Sequence, residues 1–210
     1  LIKILSEGGD TIYGIYERID IALRSREGLE EYKGWYEKLP HPDSPVTEIT
    51  ENGIKYLVDV ENGQKTGFFL DQKYNRLAVA SISKGKRVLD CFTHTGSFAL
   101  NAAMGGAEHV TAVDVSETAV EMARRNAERN GLDGRMDFLA ADVIELLPEL
   151  EKNGKKPYDF ILLDPPAFTK SRRTVGSAER GYKEINYRAM KLLPRGGNLA
   201  ASSCSHFMPS

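Results

Sequence analysis

From Lys86 onward, short apolar runs alternate with longer amphipathic segments, and each run carries an acid or a cysteine at or near its carboxyl end. Parallel strands joined by crossover helices give this text, whereas a helix bundle or an antiparallel sandwich does not. The runs RVLDCF (87–92), HVTAVDV (109–115), MDFLAAD (136–142), YDFILLD (158–164) and NLAASSC (198–204) are predicted strands. Helices fit between them. One begins near Gly96, and the next is capped by Ser116, runs through ETAVEMARRNAERN and stops at Gly131. VIELLPELEKN and SAERGYKEINYRAMKLL supply the others. Right-handed crossovers then predict an α/β fold, a doubly wound Rossmann-like sheet in the order 3-2-1-4-5.

Before Lys86 the text changes. ENGIKYLVDVENGQKTGFFL has the turn signals and alternation of a hairpin, DQKYNRLAVASIS reads as a helix, and residues 1–50 read as small, irregular and partly β. The expected division is a small β-rich connecting segment over 1–62 and the sheet domain over 63–210. With 210 residues, 41% hydrophobic, and a net charge of −2, the chain suits one large or two small domains. It has no long apolar run to cross a membrane, and LIKILSEGGD lacks the layout of a signal peptide, so a cytoplasmic protein is expected. Two cysteines make no disulfide framework, and no metal-ligand cluster stands out. Residues 170–210 hold eight cations against two acids: Lys170, Arg172, Arg173, Arg180, Lys183, Arg188, Lys191 and Arg195. Such a segment suits an anionic backbone, and equally a solvated helix face.

Ligands of a doubly wound sheet sit at the carboxyl ends of its strands, where the order reverses. The first strand runs into DCFTHTGSF, with the single glycine Gly96 where a dinucleotide fingerprint has three. A nucleoside cofactor without phosphates fits better. Asp114 stands where an acid accepts both ribose hydroxyls and Asp142 where one receives an exocyclic amine, although either can also cap a helix. These placements point to S-adenosylmethionine. In LLDPPAFTK, two prolines hold Asp164 in an extended turn, and Phe168 can face a planar base. Cys204 leaves the neighbouring strand at the same edge, among polar residues, and reads either as a nucleophile or as packing. Cys91 reads as a packed residue lining the cofactor loop.

The stretches NGQKTGFFLDQKYNR, RVLDCFTHTGSFAL, VTAVDVS, DPPAFTKSRRTV, RGYKEINYRAMKLL and SSCSH together resemble one family, over about Glu51 to His206. It is the bacterial class I S-adenosylmethionine-dependent methyltransferases that make 5-methylcytosine in large-subunit ribosomal RNA. The resemblance implies that Asp90, Cys91, Phe92, Thr93, Gly96, Ser97 and Phe98, with Asp114, Val115, Asp142 and Val143, bind the cofactor. Phe69, Gln72 and Arg76 would line the same pocket. Cys204 matches the nucleophile and Asp164 the acid beside the target base, with Pro165, Phe168, Lys170, Arg172 and Arg173 toward the RNA. Large-subunit rRNA is the implied partner, without metal or membrane, and a homodimer is allowed. Members usually carry an N-terminal PUA-type domain and continue past the fifth strand with a helix and two strands. The sheet is therefore expected to be C-terminally incomplete here. Two other readings stay open: an RNA base N-methyltransferase in which Cys204 is structural, and a non-catalytic RNA-binding factor that keeps the cofactor pocket.

Overall fold

A computed structural model describes residues 12–19, 27–28, 30–64, 66–154, 157–168 and 175–203. The chain divides into two compact units, Leu1–Ile49 with Leu57–Leu70, and Thr50–Tyr56 with Asp71–Ser210. In the first unit, β1 (Tyr16–Arg18) pairs antiparallel with β2 (Lys33–Trp35), Tyr16 opposite Trp35. Trp35 takes the edge of Tyr16 at 5.0 Å and stacks parallel on His41 at 5.0 Å. Tyr16 and Trp35 thus pack as a cross-strand aromatic pair, which His41 extends.

The strands β3 (Val46–Glu51) and β4 (Ile54–Asp59) form a two-stranded sheet around Asn52 and Gly53. Both turn residues have positive φ, 54° and 79°. Two left-handed residues match the twist of the flanking strands, which is why Asn-Gly makes this turn. The expected hairpin over 51–70 therefore has its partner strand upstream instead. Past β4, the Asp59 carboxylate accepts the amides of Glu61 and Asn62 and turns the chain away from the ladder. The Thr50–Tyr56 segment is held within the second unit by Asn130, which brackets both backbone groups of Lys55. Asn101 also holds it, donating to the buried Tyr56 hydroxyl at 2.8 Å.

The second unit is built on the parallel sheet. Its strands are β5 (Arg87–Cys91), β6 (His109–Asp114), β7 (Met136–Ala140), β8 (Phe160–Leu163) and β9 (Asn198–Ala201), in the order β7-β6-β5-β8-β9. This is the expected 3-2-1-4-5 arrangement. Arg87 lies opposite His109 on one side of β5, and Val88 opposite Phe160 on the other. The central runs are apolar throughout because helices cover both faces: every residue of β8 is buried, as are Val88, Leu89 and Cys91. The helices are α1 (Lys73–Ile82), α2 (Ser97–Met104), α3 (Glu117–Arg129), α4 (Val143–Lys152) and α5 (Val175–Leu192). Ser116 caps α3 by accepting the Ala119 amide, and Gly131 follows α3 with φ 65°. No helix among the described residues is long and apolar enough to cross a membrane.

Candidate cofactor and target-base site

Where β5 ends, the backbone leaves the sheet through a strained loop. Phe92 and His94 sit in the left-handed region with φ 64° and 51°, and Gly96 has φ 84°. A side chain at Gly96 is doubly excluded: its Cβ would lie 2.6 Å from Leu100 Cδ1 and 2.9 Å from Ala123 Cβ. Hydrogen bonds from two other elements hold the strain. The Thr93 amide donates to Val113 O at 2.9 Å, the His94 amide to Asp114 Oδ2 at 2.9 Å, and Asn126 Nδ2 to Thr95 O at 3.1 Å. Loops fixed this way tend to be functional.

Asp90 lies beneath this loop, fully buried. One carboxylate oxygen accepts Thr93 Oγ1 at 2.7 Å and the Ala99 amide at 2.9 Å. The other, Oδ1, is buried without a donor among the described residues. Burial pushes its pKa up to about 7, against the Thr93 hydrogen bond. At the end of β6, Asp114 accepts one backbone amide on each oxygen, His94 on Oδ2 and Ser116 on Oδ1. Each oxygen keeps a second lone pair for a ligand hydroxyl. Beside it Val115 is 72% exposed, and Ile144 is exposed at the start of α4. Asp142 caps α4, accepting the Ile144 amide at 2.8 Å, while the Val143 side chain is buried.

On the far side of β5, Asp164 follows β8, and its amide donates to Cys91 O at 3.4 Å. Burial raises its pKa, opposed by a hydrogen bond that Ser202 Oγ donates to Oδ1, while the charge of Asp71 raises it further. A cavity of about 530 Å³ brings together Gln72, Asn75, Phe98, Leu162, Asp164 and Ser202. It joins two expected cofactor residues to the expected target-base acid. Gln72 Oε1 also accepts from Asn75 at 2.5 Å.

Two expected site residues, Arg76 and Phe168, have different surroundings from those read in the sequence, and a third, Cys91, is packed as read. Arg76 does not open into the pocket: it is 1% exposed and bound in two hydrogen bonds to the buried Glu51, Nε at 2.7 Å and Nη2 at 3.0 Å. A charge inside a core is tolerable only with such a partner. The Cys91 thiol lies in the core, its pKa raised well above normal by burial, so only its backbone reaches the loop. Phe168 is half-buried, and Tyr182 packs on one side of its ring at 4.6 Å. Pro165 is buried, Ser97 is half-buried, and Phe69 belongs to the other unit. Cys204, Lys170, Arg172 and Arg173 lie outside the described residues. Of the remaining cations of that segment, Arg188 and Lys191 are paired with Glu151 at 2.5 and 2.8 Å.

Two residues that sequence reasoning passed over stand at the site. His94 lies within electrostatic reach of Asp114 and Asp164; burial lowers its pKa, and both carboxylates oppose that shift. Ser202 donates to Asp164. The signal for each was a polar side chain at a strand's carboxyl end, hidden for Ser202 by the two other serines of its run.

A parallel sheet with its order reversing at β5, carboxylates at the ends of β5, β6 and β8, and a loop too poor in glycine for a pyrophosphate make a site suited to a nucleoside cofactor. The family model for S-adenosylmethionine-dependent methyltransferases matches residues 33–207, and the chain belongs to that family. Its cofactor is S-adenosylmethionine. The residues present fit that molecule: the orphan Asp90 oxygen suits an ammonium, Asp114 a ribose diol, and Val115 with Ile144 an adenine face. Ribosomal RNA large subunit methyltransferase I of Aeromonas salmonicida (strain A449) is 46% identical over 212 residues, 98% of this chain and 52% of that protein. The protein of the same name from Pseudoalteromonas translucida (strain TAC 125) is 47% identical over 197 residues, 92% and 48% of the two chains. The chain spans about half the length of the curated relatives it matches. Among solved structures, one described as a SAM-dependent methyltransferase from Streptococcus mutans superposes with TM-score 0.79 at 27% identity, over 99% of this chain and 51% of that one. Another methyltransferase structure, complexed with SAH, gives 0.75 at 27% identity, over 93% and 49%.

Proposed function

We propose that the protein methylates carbon 5 of a cytosine in large-subunit rRNA, with Cys204 as nucleophile and Asp164 as the acid at the target base. The observation that carries the reading is Asp164 itself. It is a partly buried carboxyl with a raised pKa, fixed by two prolines at the end of β8, one strand away from the run that leads into Cys204. The similarity to relatives named for large-subunit rRNA supports the substrate class.

Carbon 5 of cytosine is a poor nucleophile while the ring is aromatic. Addition of the Cys204 thiolate to carbon 6 breaks the aromaticity and sends electron density toward N3. Asp164, protonated more readily than an exposed carboxyl because burial raises its pKa, donates its proton there. The bound cofactor supplies the electrophilic methyl group. A base, for which a water molecule suffices, then takes the carbon 5 proton; its electron pair re-forms the 5,6 double bond and expels the thiolate, and the N3 proton returns to Asp164. Ser202 holds the carboxyl oriented during both transfers. The target base must first leave its stack, which single-stranded RNA permits at least cost.

Nucleoside mass spectrometry tests the reading directly. Unmodified large-subunit rRNA is incubated with S-adenosylmethionine and either the full-length protein or its Cys204→Ala variant. 5-Methylcytidine formed by the parent and not by the variant is the expected result. A methylated purine formed by both would replace this reading with N-methylation, and no methylation by a parent that binds S-adenosylmethionine would replace it with a non-catalytic RNA-binding role.

A further inference from the structure

The motif RGYKEIN has no part in the chemistry above, yet it holds an anomaly: Gly181 stands in the interior of α5. A mid-helix glycine destabilises a helix by about 1 kcal/mol relative to alanine. What it permits is a close approach. A Cβ at Gly181 would lie 3.1 Å from Phe168 Cδ2 and 3.4 Å from Cε2, so the Phe168 ring rests directly on the helix, and a methyl group there would push it back by a few tenths of an ångström. The next residue, Tyr182, is buried, packs on the same ring at 4.6 Å, and donates its hydroxyl to Pro166 O at 3.5 Å. Two consecutive residues of α5 therefore clamp the segment that runs from Asp164 through Pro165 and Pro166 to Phe168.

The clamp also reaches the cofactor loop. Phe92, held in the left-handed region, points its ring at Phe168 with centroids 6.5 Å apart in an edge-to-face arrangement. The Asp164 amide meets the carbonyl of Cys91, the residue before Phe92. Phe168 is thus the common bearing of two loops: the one that binds the methyl donor and the one that carries the acid for the acceptor.

We infer that Gly181 and Tyr182 are positioning residues: through Phe168 they lock the Asp164 loop to the cofactor loop, so that ordering one orders the other. The inference rests on Asp164 serving the target base. Misplacement of reacting groups by a fraction of an ångström to about 1 Å lowers transfer steeply and leaves cofactor affinity nearly untouched.

The test uses the full-length protein, S-adenosylhomocysteine as probe, and the variants Gly181→Ala, Phe168→Leu and the double substitution. Hydrogen exchange is read on peptides covering 91–98 and 157–168. In the parent, S-adenosylhomocysteine should slow exchange in both segments; in Gly181→Ala only in the first, with its affinity changed less than about twofold. Turnover of Gly181→Ala on rRNA should fall about tenfold or more. In the Phe168→Leu background, the smaller side chain leaves room, and Gly181→Ala should cost nothing further. The inference is overturned if the ligand protects only 91–98 in the parent, if Gly181→Ala retains parental coupling, or if its cost is undiminished in the Phe168→Leu background. Exchange needs neither RNA nor turnover, so it decides the inference even if the 5-methylcytosine reading fails. A parent with coupled loops but a different methylated product would sink that reading alone.

Discussion

Replacing Asp90 with asparagine should change how stability depends on pH, and the sign follows from its burial. In the folded protein its carboxyl is held at about 7 against an ordinary value of 3.8. Between those values the folded state binds the proton and the unfolded state has released it, so stability falls as pH rises through the window and levels off above it. At ~1.4 kcal/mol per pH unit the ceiling is roughly 4 kcal/mol, and the part crossed between about pH 4.5 and about pH 7.5 is about 3 kcal/mol. The asparagine side chain matches the carboxylate in size, and its amide oxygen can accept from Thr93 and Ala99 as Asp90 does. Its amide nitrogen then occupies the orphan position as a buried donor, which costs ~1–3 kcal/mol at every pH. The variant's curve is therefore displaced but loses the tilt. Urea unfolding followed by circular dichroism at a series of pH values, on parent and variant, measures the difference in which other titrations largely cancel. Parent minus variant should shrink by about 3 kcal/mol from the acid to the alkaline end. Parallel curves would refute the argument, because they would mean that Asp90 titrates in the folded protein as it does in water.

Other expected outcomes follow from the same packing. Glu51→Gln leaves the Arg76 guanidinium buried beside a neutral amide, and thermal or urea unfolding should register a loss of about 3–5 kcal/mol; Arg76→Met with Glu51→Leu should recover most of it. Gly96→Ala combines a left-handed backbone with a Cβ driven into Leu100 and Ala123, so a loss of roughly 2–4 kcal/mol is expected by chemical denaturation. Asp114→Asn should weaken S-adenosylhomocysteine at least about tenfold in calorimetry, since a ribose hydroxyl loses a charged acceptor. Unchanged affinity there would move the ribose away from β6.

The sheet was readable because two independent patterns agree along the chain. Apolar runs such as YDFILL fix the strands, and cap signals such as Ser116 and Gly131 fix the helices between them, leaving one sensible winding order. The hairpin around Asn52 was half-readable: the Asn-Gly pair marks the turn, but the strand before it, VTEITE, is too polar to announce itself. Within the site, the strand-end acids could be placed from sequence, whereas their partners could not. Nothing in TGFFLDQKYNR says that Arg76 meets Glu51, 25 residues earlier, rather than a ligand. The left-handed Phe92 is equally silent, since a phenylalanine does not advertise positive φ and the loop's strain is held by amide contacts to β6. Phe168 read as a platform because its neighbours are polar or small; the ring that covers it comes from Tyr182, on a helix that begins well past the strand end.

The sheet's register also sets how far apart in the chain the two halves of the site lie. β5 meets β6 after a short connection, Arg87 opposite His109, but meets β8 only when Val88 finds Phe160, across more than three times the length of chain. Closing the longer loop costs about 1 kcal/mol more in chain entropy, and non-local pairings of this kind slow folding. The nucleoside half of the site, Asp90 and Asp114 with the loop between them, is therefore built from nearby sequence, while Asp164 depends on the more distant pairing. The grip on the methyl donor is thus a local property of the chain, and the reach toward the acceptor a long-range one.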